Sequence, residues 1–125
     1  MAVIEKKIKL AGSIGECELI ALFDSGATYS CIDRTLAATL GTLEPLPEPL
    51  LLETAQKGTA VKVKERVTLD FHLDGYRFSD EFMVIPDLSE QLIIGAKTMQ
   101  AWRFKLDFET EEVIIDPRVT KLRLL

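Results

Sequence analysis

The sequence predicts an all-β chain carrying one or two short helices, and three features support that expectation. Apolar and polar side chains alternate with period two over residues 4–10 and again over residues 76–85, which is the pattern of half-buried strands. Asp74-Gly75 stands between two such runs, the dipeptide that a two-residue hairpin turn selects. Apolar residues at helical spacing recur only in two short stretches, around Leu36-Ala37-Leu40 and around Met99-Trp102.

Taken in order, Ile4, Ile8 and Leu10 fall on one face of a first strand, with Glu5, Lys7 and Lys9 on the other. Gly12 and Gly15 bracket a turn, and residues 16–23 return as a second strand that delivers Asp24 to its end. Asp33 is placed to cap a short helix over Leu36, Ala37 and Leu40, and Gly41 to close it in a left-handed conformation. Pro45, Pro47 and Pro49 predict an extended surface connector over residues 43–49. Residues 50–54 and 59–71 then read as a hairpin with a polar tip at Ala55-Gln56-Lys57-Gly58. After the Asp74-Gly75 turn, a strand runs to Pro86, and Leu92-Ile93-Ile94 is an apolar run of the kind buried on both faces. Gly95 turns the chain into a helix over residues 96–103, with Trp102 expected in the core. Residues 104–108 and 113–115 form a last strand pair, and residues 119–125 alternate like an unpartnered strand able to meet a second subunit.

Composition bounds the function. At 125 residues the chain is read as a single domain over residues 1–125. Its net charge of -5 leaves no basic stripe for nucleic acid, and no run reaches membrane-spanning length. The opening residues interleave charge with apolar side chains and do not form a signal peptide, so a cytoplasmic location is expected. Cys17 and Cys31 are read as core thiols rather than a metal pair or disulfide framework. His72, the one histidine, reads as structural or surface, which leaves a Ser-His-Asp or Cys-His nucleophilic system without a base. The acidic groups at Asp87, Glu90, Glu109, Glu111 and Glu112 read as solvated faces rather than metal ligands.

Chemistry concentrates at Ala21-Leu22-Phe23-Asp24-Ser25-Gly26-Ala27-Thr28. A carboxylate closing an apolar strand is partly desolvated, and Ser25 and Gly26 bend the backbone while offering donors beside it, the requirement of a tuned general base. On those three residues alone a turn between strands is the favoured reading, since such tripeptides commonly punctuate strands.

Read together with Thr54-Ala55-Gln56-Lys57-Gly58, Leu92-Ile93-Ile94-Gly95 and the helix after it, this segment resembles the retropepsin-like (retroviral-type) aspartic proteases over roughly residues 4–115. The resemblance implies a closed, β-barrel-like acid-protease fold in which the strand ending at Gly95 threads beside the Asp24 loop. It implies Asp24, Ser25 and Gly26 as catalytic residues, and Ala27, Ala55, Gln56, Lys57 and Gly58 as substrate contacts, the last four at a flap tip. It further implies a homodimer acting on peptide or protein, one Asp24 per chain, with no cofactor or metal needed. Ser25 stands where many members carry Thr, and the flap tip holds one glycine. A non-catalytic dimerisation or peptide-binding module on the same scaffold is the alternative, since fold does not secure function.

Overall fold

A computed structural model describes residues 3–53 and 59–121. Among the described residues the elements are β1 (Val3–Ala11), β2 (Glu16–Asp24), β3 (Cys31–Asp33), α1 (Arg34–Leu40), β4 (Glu44–Glu53), β5 (Ala60–Leu73), β6 (Tyr76–Ile85), β7 (Leu92–Ile94), α2 (Ala96–Ala101), β8 (Lys105–Asp107) and β9 (Glu112–Ile114), followed by a 3-10 turn at Pro117–Thr120. The main sheet has the order β1-β2-β7-β3-β6-β5-β4. A second pairing of β1 with β5, at Lys9↔His72, Leu10↔Phe71 and Ala11↔Asp70, closes six of these strands into a barrel and leaves β4 attached to β5 outside it. The predicted all-β class with two short helices is therefore correct, and the closed form implied by the resemblance is present.

The alternating pattern decides which side of each strand goes inward. Ile4, Ile8 and Leu10 are buried on β1, with Phe71, Phe78 and Phe82 from the β5–β6 hairpin at the centre. Phe71 lies 5.3 Å from Phe78, and Phe78 lies 4.8 Å from Phe104 in a perpendicular contact, ring centre to ring centre. Edge-to-face geometry of this kind adds to the apolar burial that holds a barrel shut. The β5–β6 turn is the predicted two-residue one: Asp74 and Gly75 take φ of 51° and 82°, as a type I′ turn requires at both central positions.

Several local expectations are corrected. The proline segment is not a connector but the first half of β4: Glu44 and Pro45 pair with Arg66 and Glu65, the register then shifts, and pairing resumes at Leu50↔Val63. Prolines are compatible with this strand because it is an edge strand and because they fall at its irregularity. Asp33 does cap α1, its carboxylate accepting from Leu36 N at 3.3 Å. Gly41, however, is extended (φ -155°, ψ 177°), and a Cβ there would meet Val67 Cγ2 at 2.9 Å, so close packing, not a left-handed turn, calls for glycine. Helix α2 stops at Ala101, because Arg103 is left-handed at φ 56° and Phe104 N donates to Met99 O at 2.8 Å, the chain reversal that ends many helices. Trp102 is half-buried at the core margin, its Nε1 donating to Ser79 O at 3.0 Å. Cys31 is buried but Cys17 is only half-buried, and both are free thiols. The expected strand from residue 119 is replaced by the 3-10 turn, capped by the Asp116 side chain accepting from Arg118 N. Residues 122–125, and with them the Leu122 and Leu124 dimer contact, lie outside the described residues.

Candidate active site

Strand β2 carries Asp24 to the rim of the barrel. There it lies beside β7 in parallel pairing, Leu22 opposite Ile93 and Phe23 opposite Ile94. Strand β7 also pairs antiparallel with β3, Cys31 opposite Ile93 and Ile32 opposite Leu92. The segment from Ser25 to Ser30 must therefore arch over the end of β7 to join β2 to β3. Gly26 N donates to Asp24 Oδ1 at 2.9 Å and Ala27 N donates to the Asp24 carbonyl at 3.1 Å. Asp24 is half-buried, while Ser25 and Gly26 are exposed. The Asp-Ser-Gly is thus a turn whose own backbone donor points at the carboxylate.

The arch is anchored from beneath. Ala96 N donates to Ala27 O at 2.7 Å and Lys97 N to Thr28 O at 3.0 Å, stitching the start of α2 to the loop. Ser30 is buried; its Oγ accepts from Gly95 N at 2.9 Å and shares a hydrogen bond with Thr98 Oγ1 at 2.5 Å. Gly95 is required sterically: a Cβ would lie 2.5 Å from Tyr29 C and O and 2.9 Å from Ala27 O. Sequence reasoning missed the Ser30–Thr98 pair, because hydroxyls 68 residues apart carry no local signal.

Register also settles which way the carboxylate faces. Side chains alternate along a strand, and paired residues share a face. Leu22, Ile93, Cys31 and Met83 are paired in series, and Asp24, two residues past Leu22, lies on their side. The opposite side, Phe23, Ile94, Ile32 and Val84, fills the main core. Cys31, Val63 and Met83 form the centre of a separate apolar cluster, with Tyr29, Ile93 and Val61 packed on it. An apolar shelf, roofed by β4 and β5, thus occupies the same sheet face as Asp24.

Of the residues singled out in the sequence, Asp24, Ser25, Gly26 and Ala27 fall in this one arch. Ala55, Gln56, Lys57 and Gly58 lie outside the described residues. Cys31 is no competing nucleophile, since burial pushes its thiol up to about 11, far from the thiolate that attack requires. His72 sits at the β1–β5 seam opposite Lys9, with Nδ1 buried and without a hydrogen-bond partner among the described residues. Among the described residues no cluster of three or more His, Cys, Asp or Glu side chains is arranged to hold a metal ion, and no helix is long and apolar enough to cross a membrane.

A closed barrel in which the last strand of the main sheet slides between the Asp-bearing strand and its successor defines the retropepsin-like fold. Solved structures agree: the retroviral protease-like domain of Ddi1 from Leishmania major superposes with a TM-score of 0.69 at 20% identity, covering 93% of this chain and 90% of that one. EIAV protease, solved with the inhibitor HBY-793, matches with a TM-score of 0.59 at 16% identity, covering 85% and 93% respectively. No curated protein sequence matches the chain. The aspartyl protease family matches residues 10–98, a span running from β1 into α2 and including the whole Asp24 arch, and the chain belongs to that family.

Proposed function

We propose that the chain is an aspartic endopeptidase active as a homodimer, with Asp24 of each copy supplying half of one catalytic centre. The observation that carries this reading is the Asp24 arch itself: a half-buried carboxylate held by its own backbone donor at 2.9 Å, flanked by exposed Ser25 and Gly26 that leave room for a second copy. Two carboxylates brought to about 3 Å cannot both ionise, so they share one proton; aspartic proteases are the standard example of this effect. The ionised member takes a proton from a water held between the pair, and that water attacks a peptide carbonyl. The protonated member donates to the carbonyl oxygen, and a proton then passes to the departing amine as the C–N bond breaks. Ser25 would donate across the two-fold axis to hold the two arches together, and the hairpin tip at Gln56, Lys57 and Gly58 would close over an extended peptide lying against Ala27 and the apolar shelf.

The test is cleavage of a peptide library by the wild type and by Asp24→Asn between acid and neutral pH, alongside sedimentation of both proteins. Cleavage lost in Asp24→Asn while the dimer persists supports the dyad. Equal cleavage by both proteins sinks it, and a strictly monomeric yet active protein sinks the two-chain site. Peptide binding without cleavage by either protein would make the chain a non-catalytic binding module.

A further inference from the structure

We propose that Lys97 and Tyr29 form an anionic subsite beside Asp24, selecting peptides with a glutamate or aspartate side chain at a position flanking the scissile bond. The inference rests on reading the Asp24 arch as a peptide site. Tyr29 lies in the last part of that arch, before Ser30, and packs onto the apolar shelf that shares a sheet face with Asp24. The Lys97 ammonium stands 4.8 Å from the centre of the Tyr29 ring. The backbone that carries Lys97 is tied to the arch, with Lys97 N donating to Thr28 O and Ala96 N to Ala27 O. A peptide crossing Asp24 along the shelf therefore passes the Tyr29 ring and the cation above it.

Within the described residues the contact of this charge is the Tyr29 ring, with no ion pair. Lys97 is exposed, and among the described residues no carboxylate stands within ion-pair distance of it. It sits in the first turn of α2, where the helix dipole disfavours a cation. Among the described residues Lys7 pairs with Glu18 and Lys9 with Glu16, while Lys62, Lys64 and Lys105 are exposed without an ion pair; Lys97 differs from these in resting on an aromatic ring. In a chain of net charge -5, an unmatched ammonium resting on an aromatic ring next to the arch is a place for a substrate carboxylate, and the ring supplies the apolar wall for its methylenes.

Paired peptides differing only as Glu or Gln, scanned across the positions around one cleaved bond, test the proposal. At one position the wild type should cleave the Glu peptide about threefold to fivefold faster in kcat/KM, the range of a partly exposed charge pair, with the advantage shrinking as salt is raised. Lys97→Met should level the pair, and Lys97→Glu should turn the preference toward a Lys peptide. Equal cleavage of every Glu and Gln pair by the wild type overturns the proposal, as does a preference that survives in Lys97→Met; the Asp24 reading would stand in either case. If the wild type cleaves none of the peptides, their binding is compared by fluorescence polarisation, where the same Glu preference supports the subsite. Absence of binding overturns both readings.

Discussion

Replacing Gly95 by alanine tests the arrangement that holds the Asp24 arch against the barrel. The new Cβ would stand 2.5 Å from both Tyr29 C and Tyr29 O, where ordinary contact begins at 3.4 Å, so arch and β7 must part by about 0.9 Å. Both contacts are to backbone, which leaves no flexible side chain to swing aside. The parting acts on three hydrogen bonds that cross the same gap: Gly95 N to Ser30 Oγ, Ala96 N to Ala27 O and Lys97 N to Thr28 O. At about 1 kcal/mol net for each bond, Gly95→Ala should cost about 3 kcal/mol, the upper end of ordinary overpacking. Urea unfolding should show the midpoint falling by about 1.5 M with an unchanged slope, and Tm should fall by roughly 10 °C. Gly75→Ala is the control. Gly75 has φ of 82° with nothing within 4 Å of a Cβ, so it should lose only the left-handed backbone cost of about 1 kcal/mol. A Gly95→Ala protein that unfolds no earlier than the Gly75→Ala protein would refute the close-approach argument.

Ser30→Ala should destabilise by about 1–3 kcal/mol in chemical denaturation, because it leaves Gly95 N–H and the Thr98 hydroxyl without their buried partner; Thr98→Ser should be close to neutral. Arg103→Gly should raise stability by roughly 0.5–1 kcal/mol, since the residue is left-handed at φ 56° at the end of α2, and a fall in Tm would count against it. Cys31, whose thiol burial raises to about 11, should react with Ellman's reagent at pH 8 far more slowly than half-buried Cys17. The native state holds the Cys31 proton longer than the unfolded chain does, so its contribution is full below the unfolded thiol pKa, near 8.5, and is lost as pH rises toward 11. That loss, read from urea midpoints, should be absent in Cys31→Val.

Features encoded by neighbouring residues were legible in the sequence, and those decided by distant strands were not. Period-two alternation and Asp74-Gly75 settle the β1–β2 and β5–β6 hairpins because strand side and turn conformation are local properties. The three prolines of β4 misled because a strand tolerates proline when its outer edge is unpaired, and that depends on where β5 ends up. Gly41 and Gly95 look like turn glycines, yet what demands them is Val67 in one case and Tyr29 in the other. The candidate site divides the same way. Residues 21–28 mark Asp24 by adjacency, but an apolar strand ending in Asp could turn its carboxylate toward the core or away from it. The choice is made by β7, which pairs Leu22 with Ile93 and so places Asp24 on the face opposite Phe23 and Ile94. Had β7 met β2 one residue out of register, Leu22 would face the core and the carboxylate would be buried with it. The arch, the glycine beneath it and the Ser30–Thr98 bond therefore act through register: they keep Asp24 on the face opposite the main core, which is the face that the proposed two-chain peptide site requires.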